Sequence, residues 1–387
     1  MMVFTLLYIY CPLFGILAYS VWMTRREEVS VGKVWGLAVM LSLYLGCLGA
    51  TKELLGDFLT YSQYFREVPR YSLVSYLLSF GKEPLYYGFT WVSYYLFMGN
   101  WKLFVIVLTT LNYLLLSYAI IRVGIYLRTS INKVVVALFF MAFFFQEFAA
   151  IGNMLRQGLA QSITLVFLVR WHVEGKRSWW IALCALGVHT SCLPVLGVGL
   201  LPMIRNRLSW GTFLRLAISL VMLALVFFRL GDYLSHLPFI GYVFERATAS
   251  EQLLAADAWQ TEVGLQPSMI ALLLLLGAMI VALYRREEAT SLYIFVNLNL
   301  MLLLLMVVCN ALGMYYLLMR YFFYLYAFQN VLFLLYLHGS TFWQGSVPRW
   351  MLMCTLVVYF FYELSHGIFS YLPVVEALVN PLPIYII

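Results

Sequence analysis

Between short basic turns this chain runs apolar for long enough to cross a bilayer, and it does so repeatedly. A spanning helix needs roughly 20 mainly apolar residues. Such runs are expected at about 1–23, 34–51, 101–127, 134–150, 157–172, 211–230, 268–284, 290–312, 320–338 and 349–365. With 64% hydrophobic and 11% charged residues, the chain lies far from water-soluble domains, of which about 25% is charged. Alternation of apolar and polar positions in ten-residue segments is absent, which excludes an outer-membrane barrel. The expected fold is an all-α polytopic integral membrane protein. It forms a single transmembrane domain over 1–387, with about 10–12 membrane helices. The apolar start lacks a basic leader and a small-residue cleavage site and is followed by Arg25-Arg26-Glu27-Glu28, so it reads as a first membrane helix.

The net charge of +7 sits in turns between apolar runs, where it signals topology, not nucleic-acid binding. Placing the basic turns at 24–27, 128–133, 174–178, 205–207 and 285–288 in the cytoplasm puts 15 of the 24 Lys and Arg inside. Only 5 of the 17 Asp and Glu lie on that side. The six Cys residues lie in apolar segments without metal-type spacing, so they read as small buried hydrophobes. No nucleotide-binding loop is visible, and ATP-driven transport has no engine here.

This topology places both flanks of 179–203 in the cytoplasm. Twenty-five residues cannot cross twice, so the segment is expected to be a re-entrant hairpin turning at His189-Thr190-Ser191. One ordinary span is the alternative, and it reverses every later loop. The stretch 52–100 is expected to be an outer-face loop: a Tyr-rich amphipathic segment, then a membrane-dipping hairpin hinged at Gly81-Lys82-Glu83-Pro84. The second large outer-face loop is 231–267, with Asp232, Glu245, Glu251, Asp257 and Glu262.

Five clusters put polar side chains at membrane depth. Asp57, Tyr61 and Tyr64 share one helical face by their spacing. Glu83 stands directly before a proline. Asn153, Arg156 and Gln157 lie in Gly152–Ala160, between apolar runs. An ionisable group there costs roughly 2.5–3.5 kcal/mol by insertion scales, so a functional reading is the default, and Arg is shaped to clasp phosphate by two parallel hydrogen bonds. His189 marks the expected hairpin tip, and Arg320 lies beside Tyr321 and Tyr324. Each cluster also has a plain alternative: interface anchor, turn marker or packed histidine. No Asp-x-Asp occurs, and neither Arg nor His has metal-ligand companions, so no metal or other cofactor is expected.

The order D-x3-Y-x2-Y (Asp57, Tyr61, Tyr64), Glu83-Pro84, N-x-x-R-Q-x-x-A (Asn153 to Ala160) and His189-Thr190-Ser191 resembles the EpsG family, Wzy-like bacterial polysaccharide polymerases. The resemblance covers most of the chain and is densest over 52–200. At the end Ile384 separates Pro383 from Tyr385, a departure from the family's Pro-Tyr ending. The resemblance implies a membrane glycosyltransferase, and it is compatible with a glycosyltransferase-C-like architecture. Its implied donor and acceptor are undecaprenyl-pyrophosphate-linked oligosaccharides, polymerised into O-antigen, capsule or exopolysaccharide. The implied location is the bacterial inner membrane, with the active site facing the periplasm and a flippase and chain-length regulator as partners.

On this reading Arg156, assisted by Arg320, holds the pyrophosphate. His189 is the base, with Asp57 the runner-up. Asn153, Gln157, Tyr61, Tyr64, Glu83 and Tyr324 bind substrate, and the Tyr-rich 61–95 segment with Trp91 forms sugar-stacking walls. The transfer is metal-independent and inverting. The rival readings are an O-antigen ligase or other polyprenyl-phosphate-dependent glycosyltransferase, and a lipid-linked oligosaccharide flippase.

Overall fold

The structure, a computed structural model, describes residues 2–25, 30–80, 83–229, 267–286, 292–311, 315–342 and 345–366. Gly81 and Lys82 of the expected hinge lie outside them, as do the acids of the 231–267 loop and Tyr385. The described residues form helices and turns with no strand. In chain order the helices are α1 Met2–Tyr10, α2 Pro12–Thr24, α3 Val31–Gly49, α4 Gly56–Glu67, α5 Leu73–Phe80 and α6 Pro84–Leu96. There follow α7 Trp101–Tyr126, α8 Ile131–Phe143, α9 Phe145–Asn153, α10 Leu155–His172, α11 Trp179–Val188 and α12 Cys192–Leu200. The series closes with α13 Trp210–Arg229, α14 Pro267–Tyr284, α15 Tyr293–Ala311, α16 Tyr315–His338 and α17 Ser346–His366. Helices α3, α7 and α17 are each long and apolar enough to cross a membrane; α8 and α9, bent by 50° at Phe144, make a fourth if counted as one span.

The chain divides into two compact units, Met1–Gly197 with Phe333–Ile387, and Val198–Leu332. In the first, α3 lies along α7, and α10 lies between α7 and α11. The expected first span over 1–23 is not one helix. Pro12 begins α2 after a break at Cys11, because proline lacks the N–H a continuous helix needs and clashes with the preceding turn. Helix α1 folds back on α2, with the Phe4 ring 5.4 Å from Tyr19 and 5.5 Å from Trp22. Gly15 makes the return possible: a Cβ there would lie 2.6 Å from the Tyr8 backbone. The 13 residues of α2 span only about 20 Å, short of a hydrocarbon core of about 30 Å.

Helices α5 and α6 also pack on one another. The Tyr76 ring lies 6.0 Å from Tyr87, and Trp91 Nε1 donates to the Tyr71 carbonyl at 3.3 Å. Helix α4 joins them as Tyr76 donates its hydroxyl proton to the Tyr64 carbonyl at 3.0 Å. On the other side of the sequence, Lys133 at the start of α8 donates to the carbonyls of His338 and Ser340 at 2.9 and 3.0 Å. These bonds tie the end of α16 to the α7–α8 turn.

In the second unit, Asn297 of α15 donates its amide to the carbonyls of Ile204 and Asn206, both at 2.8 Å. Its Oδ1 accepts the Tyr284 hydroxyl of α14. One buried amide thereby satisfies three polar groups that would otherwise be costly in an apolar surrounding.

Candidate active site

The polar residues between apolar runs meet in the first unit, where α4, α6, α10 and the end of α11 converge. Glu83 is the N-terminal neighbour of α6, with Pro84 in the first helical turn. A carboxylate at that place commonly caps its own helix, yet the Glu83 side chain makes no capping bond. It turns inward instead and is 5% exposed. One oxygen, Oε2, takes the Arg156 Nη1–H in an ion pair. The other, Oε1, lies 3.5 Å from His189 Nε2.

Arg156 stands in the first turn of α10, which starts after a break at Met154. Its Nε donates to the Tyr61 hydroxyl at 3.3 Å, and Nη1 also donates to the Tyr87 hydroxyl at 3.2 Å. The guanidinium carbon sits 5.3, 6.0 and 5.7 Å from the ring centres of Tyr61, Tyr86 and Tyr87, distances at which a ring quadrupole attracts a cation. The fork is thus fixed on two edges, while 25% of its side chain stays exposed.

His189 follows α11 in extended conformation. Its Nδ1 accepts the Ser191 backbone N–H at 3.1 Å. An N–H donor directed at Nδ1 fixes that nitrogen as unprotonated, so in the neutral ring Nε2 carries the proton and faces Glu83. Gly187, two residues earlier, lets α11 approach the start of α6: a Cβ there would come within 2.7 Å of Leu85 Cγ and Cδ1. This close approach is what delivers His189 to Glu83.

Asn153 closes α9, one residue before the break, and meets a partner that the sequence reading passed over. Its Oδ1 accepts from Lys52 Nζ. Lys52 lies in the turn after α3, is 5% exposed, and its ammonium is 5.3 Å from the Phe58 ring. Burial lowers its pKa to about 7, against the opposing pull of Asp57. Because Lys52 holds Oδ1, the Asn153 amide is oriented with its N–H groups left to act as donors. Lys52 is next to Glu53 at the end of a span, so by sequence it reads as an ordinary loop charge; only its burial distinguishes it.

The remaining expected residues divide by position. Tyr61 is buried and bonded to Arg156, and Tyr64 is half-buried with its ring 6.3 Å from Tyr87. Asp57 is exposed on α4, and Gln157 is buried on α10. Asn153 and Arg156 do not share a helix turn, because the break at Met154 sends them to different partners. Arg320 and the buried Tyr324 lie on α16 in the second unit. Trp91 spends its indole N–H on Tyr71 and lies 4.7 Å from the Tyr95 ring.

Among known protein families, the model described as the EpsG family matches residues 33–374, a range that contains every residue of this cluster. No curated protein and no solved structure matches the chain.

Proposed function

Because the chain belongs to the EpsG family of Wzy-like polysaccharide polymerases, we propose that it joins undecaprenyl-pyrophosphate-linked oligosaccharide repeats by direct glycosyl transfer. The observation that carries the reading is the Arg156–Glu83–His189 array, in which the carboxylate and the imidazole are buried. It sets a phosphate-suited guanidinium beside a carboxylate-oriented imidazole in a membrane protein. The growing glycan is the donor, and the terminal sugar hydroxyl of a new lipid-linked repeat is the acceptor. The reaction takes place at the outer face of the inner membrane.

Chemically, the acceptor oxygen attacks the anomeric carbon, and the bond from that carbon to the pyrophosphate oxygen breaks. Undecaprenyl pyrophosphate departs with the bonding electrons. His189 Nδ1 takes the hydroxyl proton, exchanging its bond from Ser191 N–H for one from the acceptor. Glu83 holds Nε2–H and stabilises the imidazolium that forms, the role of the carboxylate in acid–histidine pairs generally. Arg156, braced by Tyr61 and Tyr87, presents its exposed edge to the departing phosphates, where fixed donors act most strongly. Lys52 fixes Asn153 as a further donor. One displacement inverts the anomeric configuration.

The reading is tested with purified full-length protein in detergent and one undecaprenyl-pyrophosphate-linked repeat unit. A ladder of longer glycans is expected without nucleotide or added metal and with EDTA present. His189→Ala should slow it by roughly a hundred- to ten-thousand-fold, as for loss of a general base. Failure of the wild type to elongate the repeat under these conditions overturns the polymerase reading. Loss of the ladder in EDTA overturns its metal-independent form.

A further inference from the structure

Away from this cluster, the first unit has an open cavity of about 340 Å³ between the end of α2 and the starts of α8 and α17. That volume falls within the range of small-molecule sites. Arg25 and Arg349 line it with Thr24, Asn132 and Ser346, while Val21, Val136, Trp350 and Met353 form its apolar part. Among the described residues no carboxylate lines it. Two cations beside hydroxyl and amide donors, continuous with an apolar wall, match a ligand with an anionic head and a hydrocarbon tail.

We propose that this cavity binds an anionic glycerophospholipid, its phosphate between Arg25 and Arg349 and the first part of an acyl chain along Val21, Val136 and Met353. The place in the chain agrees. The end of α2 and the start of α8 adjoin the basic turns at 24–27 and 128–133, and the start of α17 falls on the same side in that topology. This is the side that the charge bias puts in the cytoplasm, where anionic lipids enrich the leaflet and basic pockets between membrane helices take up their headgroups. Trp350 adds the amphipathic ring that favours the headgroup level. Arg supplies a planar fork that meets phosphate oxygens two at a time. The site does not depend on the glycosyl-transfer reading.

The test uses the full chain in a neutral detergent and follows its Tm with added phosphatidylglycerol, phosphatidylcholine or inorganic phosphate. Phosphatidylglycerol should raise the Tm by several degrees, and the other two should leave it within a degree. The double substitution Arg25→Gln with Arg349→Gln should abolish the phosphatidylglycerol shift. Asn132→Asp, which puts a negative charge among the lining groups without removing either arginine, should weaken lipid binding at least fivefold by native mass spectrometry. An equal shift with phosphatidylcholine overturns the proposal, as does full retention of the shift in the double variant. An equal response to inorganic phosphate assigns the cavity to a soluble anion and overturns the lipid assignment.

Discussion

Glu83→Gln isolates the charge at the centre of the cluster. The substitution keeps the side chain's size and an acceptor oxygen, but it leaves the Arg156 guanidinium without its anion. Removing one partner of a fully buried pair costs about 3–5 kcal/mol. Here the Arg156 side chain is 25% exposed, and its bonds to the Tyr61 and Tyr87 hydroxyls survive. The expected loss is therefore nearer that of a hydrogen bond to a charged group, about 1.5–3 kcal/mol. At about 2–4 °C per kcal/mol for a unit of this size, the Tm should fall by several degrees. Arg156→Met should cost a similar amount by removing the cation that pairs with Glu83. The double variant should recover about 2 kcal/mol of the summed loss, because neither charge is then left without its partner. Thermal unfolding in detergent, followed by tryptophan fluorescence, measures all four corners of the cycle. If the two single losses add within about 0.5 kcal/mol, the ion pair does not hold the site together and the array described above is refuted.

Arg156→Ala should abolish polymer while the protein still inserts, and Arg156→Lys should restore it poorly because a point charge cannot replace a planar fork; polymer of normal length in the Ala variant removes the phosphate assignment. For topology, Cys introduced at Ser178 and at Asn206 should both react with impermeant reagent from the cytoplasm alone, and labelling from opposite faces would make 179–203 an ordinary span. Lys52→Met should stabilise the ligand-free protein more at pH 6 than at pH 9. The Lys52 pKa is lowered to about 7 by burial, so below that value a charged amine is buried at full cost. Between it and the ordinary lysine value near 10.4 only the unfolded chain holds the proton, and wild-type stability rises with pH. A Tm difference that does not change with pH would show that Lys52 keeps its proton throughout. Gly187→Ala should slow polymerisation at least tenfold with a Tm loss of only a few degrees, since Leu85 can shift while His189 is moved from Glu83; unchanged turnover would show that the close helix approach does not set the catalytic geometry.

The apolar runs, the basic turns and the order of Asp57, Glu83, Asn153–Arg156 and His189 are properties of the chain itself. Helical class follows from the runs because a bilayer demands internally bonded backbone of a definite length, and the likeness to the family rests on the ordered residues. Breaks at Pro12 and Pro84 are likewise local, since proline removes a donor wherever it stands. What sequence does not carry is which polar groups meet across the fold. Glu83 and Arg156 are 73 residues apart, and Lys52 and Asn153 are 101 residues apart. Nothing in their neighbours distinguishes an exposed loop lysine from a buried one. Only helix packing decides that Glu83 leaves its own helix end for Arg156, that Gly187 admits His189, and that Lys52 turns inward to Asn153. Burial gives each of these charges its consequence, and burial belongs to the folded chain.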